Sequence, residues 1–170
     1  MKYYNVKSIV KAATIATLYV LLTYLQNILF PGSTSAAIQF RASEALMMLA
    51  LFSPTAIFGL TAGCCIANIF SGLPLDILVG SFATLVAGIL IYVTRNIKIK
   101  GFPMLSLLFP ALCNGIIVGA EIQIFFIGGF QWISFLIQAA CVFLGELAVS
   151  ITLGIPFFYI ISKTKIDKLV

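Results

Sequence analysis

Long apolar runs, each closed by a glycine, a proline or a charged cluster, follow one another along the chain. A membrane span needs about 20 residues at 1.5 Å each, and on that rule the pattern predicts six transmembrane helices. The first runs from about residue 7 to Phe30 and ends at Pro31-Gly32, with Ser33–Ala37 as a short loop. The second covers Ile38–Phe52 up to the Ser53-Pro54 break, and the third covers Pro54–Ser71 up to Gly72. The fourth opens at Pro74, a favoured first helical residue, and closes at Arg95. Asp76 sits near the positive end of that helix's dipole and reads mainly as a helix-end residue. After the basic loop Asn96–Gly101 the fifth span covers Phe102–Gln123, Gly128-Gly129 marks the next loop, and the sixth covers Trp132–Ser162.

Composition sharpens this picture. Hydrophobic residues make up 62% of the 170 and charged residues 9%, against about 25% charged in a soluble domain. An all-α integral membrane protein follows, with residues 1–170 forming a single transmembrane domain. Lys2, Lys7 and Lys11 precede the apolar run from Ala12 to Phe30. That run exceeds the 7–15 residues of a typical signal-peptide core, so it reads as a retained first helix. The four cysteines, Cys64, Cys65, Cys113 and Cys141, all fall in apolar spans, without zinc-ligand spacing. There is no histidine, which removes the commonest metal ligand and general base. No cofactor and no nucleic-acid partner are expected.

Charge placement fixes an orientation. With six spans, Lys2, Lys7, Lys11, Arg95, Lys98, Lys100, Lys163, Lys165 and Lys168 share one face, leaving only Arg41 of the ten basic residues elsewhere. The positive-inside rule puts that face, and both termini, in the cytoplasm.

Arg41 is the exception that suggests chemistry. A charge inside a span costs roughly 2.5–3.5 kcal/mol on insertion scales, so one that persists is paired or functional. It lies in Gln39-Phe40-Arg41-Ala42-Ser43-Glu44, where Arg41 and Glu44 are three apart and, on a helix, share a face. At 1.5 Å per residue, Gln26, Arg41, Asn68, Asn114 and Glu146 lie roughly 18–26 Å above the cytoplasmic ends of their helices, with Glu121 nearer the outer rim. Polar groups from several helices at one depth describe an outward-opening pocket rather than isolated helix bridges. On the first helix, Ala12, Ala16, Tyr19, Thr23 and Gln26 lie along one side. Its small lower end, Ala12-x-x-x-Ala16, lets another helix approach closely. Gly59-x-x-x-Gly63 and Gly115-x-x-x-Gly119 have the same form, so internal packing is the better reading of any one of these spacings.

Six short helices, an Ala-x-x-x-Ala first helix and a polar outer pocket resemble the S components of energy-coupling factor (ECF) transporters. Gln39-Phe40-Arg41-x-Ser43-Glu44-Ala45-Leu46 is similar to the queuosine-precursor transporter family. So are Asn114-Gly115 through Val118-Gly119-x-Glu121, and Gly145-Glu146-Leu147. The resemblance covers nearly the whole chain. It implies an ECF S-component-like bundle in a prokaryotic cytoplasmic membrane, importing a 7-deazaguanine such as the aminomethyl precursor or queuine. It also implies that Ala12 and Ala16 face a T component driven by two ABC ATPases. The substrate-binding candidates are then Gln39, Arg41, Glu44, Asn68, Asn114, Glu121 and Glu146, with Tyr19 or a neighbouring Phe to stack on the base. Glu44, Glu121 and Glu146 outnumber Arg41, which favours a cationic ligand whose N–H groups meet carboxylates.

The chain carries no G-x-x-x-x-G-K-[ST] phosphate loop, so any ATP hydrolysis must come from partners. The alternative is a self-contained ion-coupled transporter in which Glu121 and Glu146 carry protons. An enzyme is not expected, because no metal constellation or nucleophile–base pair is present.

Overall fold

The computed structural model describes residues 6–34, 38–71, 74–99 and 102–164, apart from the side chains of Ser71 and Phe126. Lys2, Lys100, Lys165, Lys168, Gly72, Gly101 and the loop residues Ser35–Ala37 lie outside the described residues.

Six α-helices surround one 3-10 helix. They are α1 (Val6–Leu29), α2 (Pro54–Ser71), α3 (Pro74–Thr94), α4 (Met104–Glu121), α5 (Trp132–Val149) and α6 (Ile155–Thr164). Proline opens α2 and α3, where its missing N–H costs no helical hydrogen bond. The turns after α1 and α4 carry Gly32, Gly128 and Gly129 at φ +82°, +85° and +153°, conformations that residues with a Cβ seldom adopt. Wide π-turns extend α4 (Ile122–Phe126) and join α5 to α6 (Ser150–Gly154). The second π-turn precedes Pro156, which has no N–H to complete a normal α-turn. Four helices among the described residues are long and apolar enough to cross a membrane: Val6–Leu29, Pro74–Thr94, Met104–Phe125 and Trp132–Thr164. Pro54–Phe70 is apolar but shorter. Leu21, Leu25, Leu78, Leu136 and Ile137, among others, are exposed, as suits side chains that meet lipid. The chain is thus a multi-pass membrane protein.

The second expected span is corrected. Residues 38–41 are not helical, and Ala42–Leu51 forms a 3-10 helix. At about 2.0 Å per residue, ten residues of 3-10 helix reach about 20 Å, short of the bilayer core. Its whole surface is covered: every residue from Ser43 to Leu51 is buried. This short helix packs against all six α-helices and supplies Leu46, Met47, Met48, Leu49, Ala50 and Leu51 to the core. A segment apolar on every side is a core segment, enclosed by protein rather than by lipid.

Ala12 and Ala16 have a neighbour within the chain. They lie against α2, where Gly59 and Gly63 leave room for them. A Cβ at Gly59 would stand 2.6 Å from the Ala12 carbonyl oxygen, and one at Gly63 would stand 2.9 Å from that of Ala16. The small side of α1 therefore packs closely on the chain's own second helix, with Ala16 buried and Ala12 half-buried.

Candidate functional site

The site begins with Gln26 near the outer end of α1. Its amide donates to Ser33 Oγ at 2.9 Å and to the Phe40 carbonyl, and it accepts the Ala42 N–H at 2.7 Å. With Phe40 N–H donating to the Ser33 carbonyl at 2.9 Å, this ties residues 38–42 across the top of α1. Arg41 is left extended, at φ −111° and ψ 96°, so its side chain does not follow the face of the 3-10 helix.

Arg41 does not pair with Glu44 as the spacing suggested. Its NH2 meets Asp76 Oδ2 at 3.0 Å, and its Nε donates to the Thr34 carbonyl at 3.3 Å. Asp76, read from sequence as a helix-end residue, is buried in the first turn of α3. Asn68 on α2 donates to the Asp76 backbone carbonyl at 2.7 Å and reaches Cys64 Sγ at 3.6 Å. Gly80 makes this meeting possible: a Cβ there would stand 2.8 Å from Asn68 Nδ2 and 3.0 Å from Asp76 Oδ1. Freed from Arg41, Glu44 Oε1 accepts a hydrogen bond from Tyr19 OH at 2.5 Å. One residue back, Thr23 donates to Ser43 Oγ at 2.8 Å.

The opposite wall differs. Glu121 at the end of α4 is 4% exposed, Asn114 is 1% exposed and Glu146 on α5 is 0% exposed. None of the side-chain N and O atoms of these three has a hydrogen-bond partner among the described residues. Gln39 Oε1, Glu44 Oε2, Gln123 Oε1, Ser106 Oγ and Ser150 Oγ share that condition. Gly145 lets the Gln39 backbone lie directly on α5, in the space a Cβ would fill. Arg41 and Glu44 act electrostatically on Glu146, and Arg41 and Asp76 act on Glu121.

The seven residues expected to bind substrate thus fall into two sets. Arg41 and Asn68 are committed to Asp76. Asn114, Glu121 and Glu146 are buried and free of partners, and Gln39 and Glu44 each keep one free oxygen. Sequence reasoning missed Asp76 as the arginine's partner, Tyr19 as the donor to Glu44, and Gln123. One signal for Asp76 was available: it is the acid that opens a span otherwise free of charge until Arg95. A buried arginine in another helix needs such a group.

The chain is 39% identical over 89 residues to the queuosine precursor transporter QueT of Lactococcus lactis subsp. cremoris (strain MG1363). That stretch is 51% of this chain and spans about half, 50%, of the relative's length. No solved structure matches the chain. The model of a family described as QueT transporter matches residues 9–163. This is a family of transporters, in keeping with the absence of catalytic constellations noted in the sequence. The chain belongs to the QueT transporter family.

Proposed function

We propose that the chain binds a queuosine precursor between the α4–α5 wall and the Gln39–Glu44 segment, and that the ligand is a cationic 7-deazaguanine such as the aminomethyl base. One observation carries the ligand's chemistry: among the described residues, most of the unpartnered buried atoms are carboxylate or amide oxygens. They comprise both oxygens of Glu121 and Glu146, one of Glu44, and the amide oxygens of Gln39, Asn114 and Gln123. Against them stand one amide nitrogen, of Asn114, and a few hydroxyls. Buried acceptors left unmet are costly, so an occupant that brings N–H groups and positive charge suits this wall. A guanine-type edge offers an N–H beside an amino group, which suits two carboxylate oxygens, and a protonated aminomethyl group answers a second carboxylate.

Calorimetry on the purified protein tests this directly. The aminomethyl base should bind more tightly than its uncharged nitrile counterpart, and equal affinity for the two would reject the charge argument.

Assembly as the S component of an ECF transporter in the cell membrane, with a T component and two ATPases, belongs to the same proposal. So do cytoplasmic termini. Because α2 packs closely on Ala12 and Ala16, a partner would meet α1 on its other side. There Val10, Thr14, Leu18 and Leu22 border a groove of about 560 Å³ floored by Leu46 and Leu49. The unpartnered Glu121 and Glu146 also suit the second reading, an ion-coupled carrier. Uptake that needs ATP and the partner subunits would exclude that reading.

A further inference from the structure

The π-turn after Glu121 carries a side chain that the proposed chemistry has not yet used in full. Gln123 is wholly buried, at 0% exposure. Its Nε2 donates to the Gly129 carbonyl at 2.6 Å, while its Oε1 has no partner among the described residues. A primary amide is planar, and a donor bond on the nitrogen fixes where the oxygen points. Gly129 belongs to the turn between α4 and α5, where Gly128 and Gly129 hold φ +85° and +153° and a Cβ at either would meet nothing within 4 Å. Glycine is needed there for its backbone angles, and packing places no limit on the turn. Among the described residues, Gln123 is the side chain seen to tie that turn inward. Beyond it, the Phe130 ring meets Trp132 edge-on at 4.9 Å, and Trp132 is the chain's single tryptophan.

We propose that Gln123 is a specificity-determining latch: its Oε1 accepts an N–H of the bound ligand, and its N–H₂ holds the Gly128–Gly129 turn over the occupied site. This rests on the reading of the α4–α5 wall as the ligand site. A ligand bond to Oε1 polarises the amide and strengthens the bond from Nε2 to Gly129, so occupancy steadies the turn. That turn also carries the Phe130–Trp132 contact.

The test uses the full chain in lipid nanodiscs with 7-aminomethyl-7-deazaguanine as the probe, reading affinity by calorimetry and the turn by Trp132 emission. In the wild type the probe should bind and shift the emission. Gln123→Met should lose about tenfold in affinity, the scale of one hydrogen bond to a charged group, together with the emission response. Gln123→Glu keeps an acceptor but cannot hold the Gly129 carbonyl, so it should lose less affinity than Gln123→Met and still lose the emission response. If Gln123→Met does not fold, Gln123→Glu alone decides, and an emission response like the wild type's overturns the latch. Glu146→Gln reports on the site independently. Weak binding there with unchanged binding and emission response in Gln123→Met overturns the latch and leaves the site standing. Absent binding by the wild type, or undiminished binding in Glu146→Gln, overturns the site itself.

Discussion

The two walls of the site contain the same kinds of residue and treat them in opposite ways. On the α1–α3 side, Arg41, Asp76, Asn68, Tyr19, Thr23 and Gln26 are bonded to one another or to backbone. On the α4–α5 side, Asn114, Glu121 and Glu146 are as deeply buried and bonded to nothing described. A buried polar group without a partner costs about 1–3 kcal/mol, and a charged one more. A fold that tolerates several on one wall, while satisfying nearly all on the other, divides labour between them. On the function proposed above, the first wall is framework and the second is the one that meets the ligand. Glu44 is the hinge of the comparison, with one oxygen held by Tyr19 and the other free.

The largest expected effect breaks the framework. Asp76→Ala leaves the Arg41 guanidinium buried at 4% exposure with its ion-pair partner gone. Removing one member of a buried pair costs about 3–5 kcal/mol. The unfolding midpoint in detergent should fall further than for any single change on the α4–α5 wall. An unmoved midpoint would show that the pair is not structural.

Next comes the contrast itself. Glu146→Gln removes a carboxylate that no described group needs, so the fold should keep its stability. Binding of the aminomethyl base should weaken by about 2–5 kcal/mol, the scale for an interfacial charge pair deprived of one partner. A variant that unfolds and still binds would reverse the assignment of the two walls.

Much of this was legible in the sequence, and the gaps have physical causes. Pro54, Pro74 and the Gly128-Gly129 pair marked helix ends because their backbone restrictions are local. The burial of Asn114, Glu121 and Glu146 followed from polar residues set in apolar helices. Ala42–Leu51 was misjudged because a stretch buried on every side shows no periodicity to separate a 3-10 core helix from a spanning one. Arg41 was given the wrong partner for the same reason: the i, i+3 argument assumed a helix through Arg41, and the Gln26 amide holds that residue extended. Ala12 and Ala16 showed that they would meet a helix, but spacing alone does not say whose.

A smaller effect tests how closely the framework is fitted. At Gly63 an added Cβ would stand 2.7 Å from Tyr19 Cβ and 2.9 Å from the Ala16 carbonyl oxygen. Backbone on one side leaves little to yield, so Gly63→Ala should push α1 outward at a cost of about 1–3 kcal/mol. Because Tyr19 rides on α1, binding should weaken along with stability, unlike the split expected at Glu146. Retained affinity at lowered stability would mean that Tyr19 is not needed to set Glu44.

The finest cut is Tyr19→Phe, which deletes one oxygen from a residue that is 1% exposed and keeps the ring that fills the core. Glu44 Oε1 then loses the Tyr19 donor, beside an Oε2 that has no partner among the described residues. A purely structural hydrogen bond to a charged group would cost about 1.5–3 kcal/mol of stability and leave recognition alone. If Glu44 instead joins the α4–α5 acceptors, part of that loss returns when a cationic ligand binds, because the freed oxygen gains a new donor. The stability gap between Tyr19→Phe and wild type should therefore narrow in saturating aminomethyl base and stay unchanged in the nitrile base. Unfolding midpoints of both proteins with each base measure this. A gap of equal size under all conditions would assign Glu44 wholly to the framework and move the boundary between the two walls to Glu146.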